Sequence, residues 1–352
     1  MRIRQEKTID RCRFCFMCRH VCSVARVTHE ESVTPRSQGL VMSLINRDAA
    51  TPEPDVIKNI YDCTQCRWCR EWCEGGWDFS ACIVAAREAL REEKLVPAAV
   101  LERIDRLAGQ PRPEAQQTET LILAEPTWVD GAAAQTGQAE AILSRAGIAC
   151  AAATAPSPVF ALYALGARAE ATASLSHLIS AIRDSGCRTV VALSPADVFA
   201  LRELPAILDV TALPESMTVI SWADQVQTLI QSKRLAPKPV AAAFTWHDDD
   251  FSARYTHETA ALPAILKLIP EATVADPTWK GNHARSSGGA SCGCSDPAII
   301  AKLAGQRLFE LQATGAKRII TATADDAALL AGSAPASVSV ETLSELAASW
   351  IL

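Results

Sequence analysis

"CRFCFMCRHVC" occupies residues 12–22, and "CTQCRWCREWC" occupies residues 63–73. Both stretches read Cys-x-x-Cys-x-x-Cys-x-x-x-Cys, and together they hold eight of the 13 cysteines of the chain. Three thiolates at this close spacing can each bind a different iron of one cube, whereas the fourth cysteine points away from that cube. The doubled motif therefore predicts two [4Fe–4S] clusters within residues 1–82.

The fourth cysteine of each motif is expected to bind the cluster of the other motif, as in two-cluster ferredoxins. This crossing would tie the two motifs together, so that cluster binding and folding would be coupled. The predicted ligands are Cys12, Cys15, Cys18 and Cys73 for cluster 1, and Cys63, Cys66, Cys69 and Cys22 for cluster 2. Proline usually follows the fourth cysteine, but Ser23 and Glu74 stand there, which removes no ligand.

Zinc is the main alternative for clustered cysteines. Structural zinc sites use pairs of Cys-x₂₋₄-Cys, with four ligands for each ion. A third and a fourth cysteine at fixed spacing, present twice, have no use in such a site. Disulfides are not expected either, since a chain of 352 residues can bury a core without them and begins with no secretory signal. The spacing therefore favours iron–sulfur clusters.

The composition is that of a globular protein, with 49% hydrophobic and 21% charged residues. The net charge of -6 gives no reason to expect nucleic acid as a partner. No stretch reaches the roughly 18 uninterrupted apolar residues that a membrane span needs. We therefore expect a protein of the reducing cytoplasm, either free or peripheral at the inner membrane through its partners.

A change in composition near residue 110 separates a cysteine-rich start from an alanine-rich remainder. We expect a helical dicluster ferredoxin domain over 1–110, a linker over 111–118 and two related α/β units over 119–237 and 238–352. Short apolar runs such as "TLILAEP" predict buried strands, and helical patterns that end in glycine alternate with them. Such alternation is typical of an α/β fold with a largely parallel sheet.

The alanine-rich part contains an internal repeat. "LISAIRDSGCRTVVALSPADVFAL" at 178–201 matches "QRLFELQATGAKRIITATADDAALL" at 306–330. Each block reads as a helix, a glycine, an apolar strand and a turn into the next helix, with Gly186 opposite Gly315. The repeat predicts two copies of one α/β unit.

The two cysteine motifs also carry arginine and tryptophan. Positive charge beside a cluster stabilises its reduced form and raises its potential, but the arginines could instead be solvated or meet an acidic partner. The tryptophans would shield cluster 2 from water or pack against a partner. These residues are Arg11, Arg13, Arg19, Arg67 and Arg70, together with Trp68, Trp72 and Trp77.

The whole pattern resembles a known family. The two motifs, with "SVTPRSQGLVMSLI" at 32–45 between them, resemble the helical dicluster ferredoxin component of heterodisulfide reductase. The two α/β units resemble the paired cysteine-rich CCG domains found in another component of the same enzyme. The fused arrangement is similar to the iron–sulfur subunits of glycolate oxidase, anaerobic glycerol-3-phosphate dehydrogenase and lactate-utilisation systems. The resemblance implies an iron–sulfur subunit that works with a separate flavoprotein.

The CCG positions of that family carry no thiols in this chain. Carried over residue by residue, the Cys-Pro-x-Cys turn reads "SPAD" in the first unit and "TADD" in the second, His-Asp-Pro-Cys reads "HDDD", and Cys-Cys-Gly reads "SSG". The substituted positions are Ser194, Asp197, Asp250, Ser286, Ser287, Thr323 and Asp326, while His247, Asp248 and Gly288 match. The resemblance then implies degenerate CCG units that keep the fold without the catalytic clusters.

Two cysteines in "GGASCGCSDP" stay outside this pattern. Cys292 and Cys294 could form a redox pair, or could bind a metal together with His247, His257 or His283. Active-site thiols at this place would make the chain a heterodisulfide-reductase-like redox enzyme. The alternative is a glycine-rich loop whose two thiols have no special role.

The favoured hypothesis is an electron-transfer subunit, since no nucleotide or flavin motif is present. A [4Fe–4S] cluster carries one electron, whereas the dehydrogenation of a substrate releases two, and a flavin bridges that difference. The expected donor is a flavin-dependent dehydrogenase or demethylase, and the acceptor is an electron-transfer flavoprotein, a quinone or another iron–sulfur protein. A scaffold with structural clusters is a further hypothesis.

We predict about eight irons and about eight sulfides per chain, because each of the two clusters is a four-iron cube. Cys292→Ser combined with Cys294→Ser should leave the iron content unchanged. Iron and sulfide analysis of the anaerobically purified protein measures both, with zinc determined in parallel. About four irons per chain, or stoichiometric zinc, would contradict the prediction.

Overall fold

The computed structural model describes residues 1–12, 15–129 and 135–351. Arg13 of the predicted arginine set lies outside these ranges. No helix within them is long and apolar enough to cross a membrane. The N-terminal part is helical, with α1 (Glu6–Ile9), α2 (Met17–Val21), α3 (Ser23–Thr28), α4 (Pro35–Asn46), α5 (Pro54–Asp62), α6 (Trp68–Glu71), α7 (Phe79–Glu92) and α8 (Ala98–Ala108).

Capping residues and one buried helix explain how this helical domain forms. The Thr34 side chain caps α4 by accepting the Ser37 N–H at 3.3 Å, and Pro35 follows at the first helical position, where proline is favoured. Asp78 caps α7 by accepting the Ala81 N–H at 3.1 Å. Helix α7 is buried over most of its length, and α1, α4, α5 and α6 pack around it.

Two α/β units follow, each built on a parallel four-stranded sheet. The first contains β1 (Thr120–Leu123), α9 (Thr136–Arg145), β2 (Cys150–Ala152), α10 (Val159–Ala164), α11 (Arg168–Asp184), β3 (Thr189–Ala192), α12 (Pro195–Arg202), α13 (Leu204–Leu208), β4 (Thr218–Ser221) and α14 (Trp222–Gln231). The second contains β5 (Ala243–His247), α15 (Asp250–Arg254), α16 (Ala261–Lys267), β6 (Thr273–Val274), α17 (Pro297–Gln312), β7 (Arg318–Thr321), α18 (Ala324–Ala331), β8 (Ser339–Thr342) and α19 (Leu343–Ile351). The predicted fold class, a helical domain followed by two α/β units, is confirmed.

The two sheets repeat one topology. Their strand orders are β2-β1-β3-β4 and β6-β5-β7-β8, with every neighbouring pair parallel. The matched blocks 178–201 and 306–330 take equivalent places, each running from a long helix into a central strand and the next helix. Gly186 and Gly315 lie just beyond those long helices with φ of 65° and 80°, a conformation that glycine adopts without a Cβ clash.

The two units bury apolar helix faces against each other. Helix α9 packs against α19, and α14 packs against α16. Helices α9 and α16 each lie between the first two strands of their units, and α14 and α19 are each the last helix of a unit. Each unit therefore packs its helix from between those strands against the last helix of the other unit, so the interface is pseudo-symmetric. Ile142, Trp222, Ile265 and Leu346 are buried in the shared core, so hydrophobic burial holds the units together.

A second core joins the helical domain to the first unit. It contains Ile83 and Leu90 of α7 together with Phe160 of α10 and Leu178 of α11. The guanidinium of Arg87, which is fully buried in α7, donates to the Ala164 carbonyl oxygen at 2.7 Å. The helical domain is therefore packed onto the first unit by both apolar and polar contacts.

The predicted linker runs along the surface of the first unit. Residues 111–118 form neither a helix nor a strand. The Glu114 N–H donates to the Thr154 hydroxyl at 2.9 Å, and the His177 imidazole lies 3.1 Å from the Pro113 carbonyl oxygen. These hydrogen bonds hold the segment against the first unit.

Gly39→Ala tests the packing of α4 against Trp77. A Cβ at Gly39 would lie 2.6 Å from a ring carbon of Trp77, and the indole is itself buried. We expect the free energy of unfolding to fall by about 1–3 kcal/mol, seen as a lower apparent melting temperature of the anaerobic protein. Gly305→Ala in α17 is the control, because nothing lies within 4 Å of its added Cβ, and it should stabilise by about 1 kcal/mol. Equal melting temperatures for the two variants would contradict the packing argument.

Candidate iron–sulfur centres

The first predicted ligand set gathers around Cys18. The charges that act on its thiol come from Cys12, Cys15 and Cys73, so the last cysteine of the second motif lies with the first three of the first motif. Burial, reinforced by these neighbours, raises the pKa of the Cys18 thiol to about 11. Cys15 is exposed, whereas Cys18 is buried and the other two are half-buried. This set therefore reaches the protein surface.

The second predicted set lines one cavity. Cys22, the last cysteine of the first motif, lies in its wall together with Cys63, Cys66 and Cys69. None of these four cysteines is exposed. The rest of the wall is formed by uncharged side chains and by Arg67. The structure thus brings together the four thiols that the crossed ligand assignment groups.

Tight backbone turns bring the cysteines into these positions. Cys22 stands in a non-helical conformation between α2 and α3, and Cys63 directly follows α5. Gln65 and Arg67 have left-handed backbone conformations, with φ of 58° and 57°. Such residues turn the chain sharply, so the second motif curls around its cavity.

Hydrogen-bonding groups lie beside two of the sulfur atoms. The Trp77 N–H donates to Cys73 Sγ at 3.3 Å, and the Ser23 hydroxyl oxygen lies 3.3 Å from Cys66 Sγ. Hydrogen bonds to ligand sulfur orient the ligand and tune the potential of a cluster. Ser23, at the position where proline is usual, therefore links the first motif to the second.

The chemistry of these thiols suits a bound cluster. Burial raises the pKa of the Cys63 thiol to about 11 and also raises the pKa values of Cys22 and Cys69. Without iron these thiols are neutral near pH 7, whereas coordination deprotonates them. When bound, a [4Fe–4S] cluster supplies one-electron redox chemistry. Cluster loading is thus expected to release protons from both motifs.

The loop of the second motif, residues 63–69, is held by buried side chains; we call it the cluster-2 loop. Arg254 of α15 donates to the Cys66 carbonyl oxygen at 2.5 Å, and the Tyr255 hydroxyl donates to the Gln65 carbonyl oxygen at 2.6 Å. Arg87 donates to the Cys63 carbonyl oxygen at 2.8 Å from the other side. The cluster-2 loop is therefore fixed between the helical domain and the second α/β unit.

The motif arginines have different surroundings. Arg67 is buried, and its guanidinium lies 3.8 Å from the centre of the Tyr255 ring, in a cation–π contact. Arg19 and Arg70 are partly exposed and form ion pairs with Glu31 at 2.5 Å and with Asp78 at 3.1 Å. The prediction that the motif arginines are solvated therefore fits Arg19 and Arg70 but not the buried Arg67.

Two of the motif tryptophans pack on the second α/β unit. The ring centres of Trp68 and Trp279 are 6.1 Å apart, and those of Trp72 and His283 are 5.0 Å apart. Trp77 instead packs within the helical domain, with its ring centre 5.1 Å from that of Phe79. The chain itself thus covers the aromatic side of the second motif.

Comparison with known proteins agrees with this arrangement. Residues 8–77 match the family of 4Fe-4S dicluster domains. The N-terminal segment is a 4Fe-4S dicluster domain. The match implies two [4Fe–4S] clusters, so the cofactors predicted from the doubled motif are confirmed. A search of curated proteins found no match to the chain.

One solved structure shares the fold over most of the chain. It is the crystal structure of a hypothetical protein from Helicobacter pylori, 8% identical, with a TM-score of 0.66 over 89% of this chain and 67% of that one. At this identity the likeness concerns the fold alone. A proposed Asp/Glu racemase from Yersinia pestis, 15% identical over 65% of this chain and 95% of its own, has a TM-score of only 0.30 and carries no argument.

The substituted positions of the second α/β unit meet in a buried polar network. The Thr323 hydroxyl donates to Asp326 at 2.6 Å, and the Ser287 hydroxyl donates to the same carboxylate. His247 Nε2 lies 3.6 Å from Asp326 Oδ1, and Arg307 Nε donates to His247 Nδ1 at 3.1 Å. Burial opposes ionisation of Asp326, but the nearby His247 and the two hydroxyls lower its pKa below the ordinary value. The two hydroxyls and the carboxylate thus satisfy one another here, whereas His247 Nε2 has no hydrogen-bond partner among the described residues.

The remaining substituted positions differ between the units. Asp250 forms a buried ion pair with Arg254 and accepts the Ser286 hydroxyl at 2.5 Å. In the first unit Ser194 caps α12, but both carboxylate oxygens of Asp197 lack a partner among the described residues. Burial raises the pKa of Asp197 well above its ordinary value, which favours the neutral form of this side chain. The kinship of these units with CCG domains stays a prediction.

Cys292 and Cys294 lie apart from that network. Cys292 is fully buried and Cys294 is half-buried, and burial raises the pKa of both thiols. A raised pKa reduces the thiolate fraction and therefore the reactivity. No three His, Cys, Asp or Glu side chains of the described residues are placed to hold a single metal ion. The predicted grouping of these thiols with His247, His257 or His283 is thus not found there.

The two buried arginines that hold the cluster-2 loop were not predicted from the sequence. Arg87 and Arg254 belong to no motif, and each could be a solvated helix residue. The one available signal was the place of Arg87 within the apolar stretch "CIVAAREAL". A buried arginine needs hydrogen-bond acceptors, and backbone carbonyl oxygens of the loop provide them.

Cys73→Ser and Cys22→Ser test the crossing of the fourth cysteines. Because Cys73 lies with the first motif, Cys73→Ser should perturb the electron paramagnetic resonance signal of the cluster held by Cys12, Cys15 and Cys18. Cys22→Ser should perturb the other cluster. Spectra of the two reduced variants, recorded beside the wild type, measure the effect. The opposite pairing of variant and signal would contradict the crossed assignment.

Proposed function

We propose that this chain is a non-catalytic electron-transfer subunit. It relays single electrons through two [4Fe–4S] clusters from a flavin-dependent dehydrogenase or demethylase to a separate acceptor. The dicluster domain is the observation that carries the proposal, because it provides two one-electron centres in one small helical domain. The hydrogen bonds of Ser287 and Thr323 to Asp326 support it, since side-chain oxygens stand where the resembled family carries cluster thiols.

The flavoprotein is proposed to dock beside cluster 1. Cys15 is exposed, and four large apolar side chains at α2 and α4 are exposed as well. Phe16 and Met17 lie at the start of α2 with 54% and 40% exposure, and Leu40 and Leu44 lie one turn apart on α4 with 44% and 37%. Helices α2 and α4 are in contact, so we call these four residues the α2–α4 patch. Apolar patches of this kind are typical of protein interaction sites.

Cluster 2 is the proposed second station of the relay. The Cys69 thiol is within electrostatic range of Cys18, so the two ligand sets are neighbours. Arg87 is buried beside the cluster-2 loop and donates to backbone carbonyl oxygens, whereas the charge of Arg254 is balanced by its ion pair with Asp250. The positive charge of Arg87 favours the reduced, more negative form of a cluster. Electrons that enter at the exposed cluster are thus drawn toward the enclosed one.

The α/β units serve in this proposal as the support of cluster 2. Arg254 and Tyr255 of the second unit hold the loop that carries its ligands, and the first unit shares a core with the helical domain. Substrate chemistry then belongs to the flavoprotein partner. The acceptor is an electron-transfer flavoprotein, a quinone or another iron–sulfur protein.

Capture of the flavoprotein tests the proposed function. The tagged chain, purified anaerobically from its native cells, should retain a flavoprotein in stoichiometric amount, and the substrate of that enzyme should bleach the clusters. Leu40→Glu combined with Leu44→Glu should abolish the complex, because charge on the α2–α4 patch opposes apolar contact. Phe309→Glu is the matched control, since Phe309 of α17 is 73% exposed and lies outside the patch.

Two results would contradict the proposal. One is a chain that retains no flavoprotein although both clusters are loaded. The other is a chain that oxidises glycolate, lactate or a similar compound without any partner, which would place a substrate site in the chain itself. Iron analysis of each variant separates loss of the complex from loss of the clusters.

A further inference from the structure

A cleft of about 640 Å³ lies between the helical domain and the second α/β unit. Helix α5 forms one wall and α8 another, and the loop 293–297 closes the third side. Apolar groups dominate the lining, among them Ile57, Leu95, Pro97, Val100 and Leu165. A cavity of this size and character is typical of a small-molecule site.

Two buried hydroxyl groups in the wall of this cleft have no hydrogen-bond partner among the described residues. They belong to Tyr61, which is 3% exposed, and to Ser295, which is 4% exposed. Both residues line the cleft, one from each side. A buried hydroxyl without a partner costs free energy, so such pairs are expected where a ligand supplies the missing acceptor or donor. The cleft thus combines an apolar wall with two lining residues whose buried hydroxyls lack a partner.

The cleft is adjacent to the ligands of cluster 2. Tyr61 precedes Cys63 by two residues, so their Cα atoms are at most about 7 Å apart. Arg87 spans the same place, since it donates to the carbonyl oxygens of Tyr61 at 3.1 Å and of Cys63 at 2.8 Å. Cys294, in the opposite wall, acts electrostatically on the Cys63 thiol. A ligand in the cleft would therefore stand next to cluster 2 rather than next to cluster 1.

We propose that this α5–α8 cleft binds a quinone, which accepts the electrons of cluster 2. The inference rests on the proposed function, because it names the acceptor of that relay. A quinone fits the lining, since its ring is flat and apolar and its two carbonyl oxygens can accept hydrogen bonds from hydroxyl groups. The charged groups at the cleft are Lys58, Asp62, Arg103 and Asp296. Lys58 and Asp62 form an ion pair, and Arg103 and Asp296 carry opposite charges, so the wall has no net charge that would favour a highly charged ligand.

The electron balance matches the cofactor content. Each cluster gives up one electron on oxidation, so the fully reduced chain supplies two electrons. One quinone takes up two electrons and two protons and leaves as the quinol, with both carbonyl oxygens protonated. The protons come from water, because the cleft opens to solvent. No oxidant other than the quinone is required.

Binding is measured first, with duroquinone as the probe. Isothermal titration of the oxidised, cluster-loaded protein should show saturable binding. Tyr61→Phe and Ser295→Ala should each raise Kd about threefold to tenfold, the loss of one hydrogen bond. Both variants should fold normally, since neither hydroxyl has a partner among the described residues to lose.

Filling the cleft provides the matched pair of variants. Ala99 lines it, whereas the neighbouring Ala98 does not, and both are exposed at the start of α8. Ala99→Trp should abolish duroquinone binding, and Ala98→Trp should leave it at the wild-type level. A tryptophan at either exposed position costs little stability, so a difference between the two reports on the cleft.

Electron transfer is measured next, by rapid mixing of the dithionite-reduced protein, freed of excess dithionite, with duroquinone. The visible absorbance of the clusters should return at a rate that saturates with duroquinone, with about one quinol formed per chain. Ala99→Trp should slow this return at least tenfold and leave reoxidation by ferricyanide unchanged.

The outcomes separate the acceptor site from the relay itself. Absence of binding, or equal binding by Ala99→Trp and Ala98→Trp, overturns the cleft. If Ala99→Trp abolishes duroquinone binding but leaves the reoxidation rate unchanged, the acceptor role of the cleft is overturned. Clusters that ferricyanide cannot reoxidise refute the relay on which this proposal rests, whatever duroquinone does.

Discussion

In the crossed ligand assignment, thiols from two distant segments share each metal site, and the rest of the helical domain follows from that constraint. Cys22 lines one cavity with three cysteines of the second motif, and Cys73 lies with the cysteines around Cys18. The intervening helices α4 and α5 must therefore fold back so that the two motifs meet. Helix α7 buries its length against this turn of chain. Since the thiols are neutral without iron, cluster assembly and the final packing are expected to stabilise each other.

Buried arginines connect this helical domain to the α/β units. Arg87 and Arg254 direct their guanidinium groups at backbone carbonyls around the cluster-2 loop. Arg87 satisfies its buried charge with backbone carbonyl oxygens, and Arg254 does so with carbonyl oxygens and the Asp250 carboxylate. The same contacts that fix the loop also place positive charge beside cluster 2. Under the proposed function, fold stability and the tuning of cluster 2 therefore depend on one set of interactions.

The sequence was sufficient for the elements whose signal is local. Cysteine spacing predicted the two clusters, and the repeat with Gly186 and Gly315 predicted two like α/β units, because spacing and helix ends are set by neighbouring residues. The hydrogen bond between Ser287 and Asp326 could be anticipated only from the family resemblance, which places both residues at cluster positions. The α5–α8 cleft and the roles of Arg87 and Arg254 were out of reach, since they arise where segments far apart in sequence meet.

Both clusters are proposed to carry electrons and not only to support the fold. The most direct measurement is an anaerobic potentiometric titration of the intact chain followed by electron paramagnetic resonance. Two signals per chain are expected, each appearing and disappearing reversibly with a one-electron dependence on potential, and the enclosed cluster should be reduced at the higher potential. Clusters that show no reversible reduction, or that break down once reduced, would contradict this proposal.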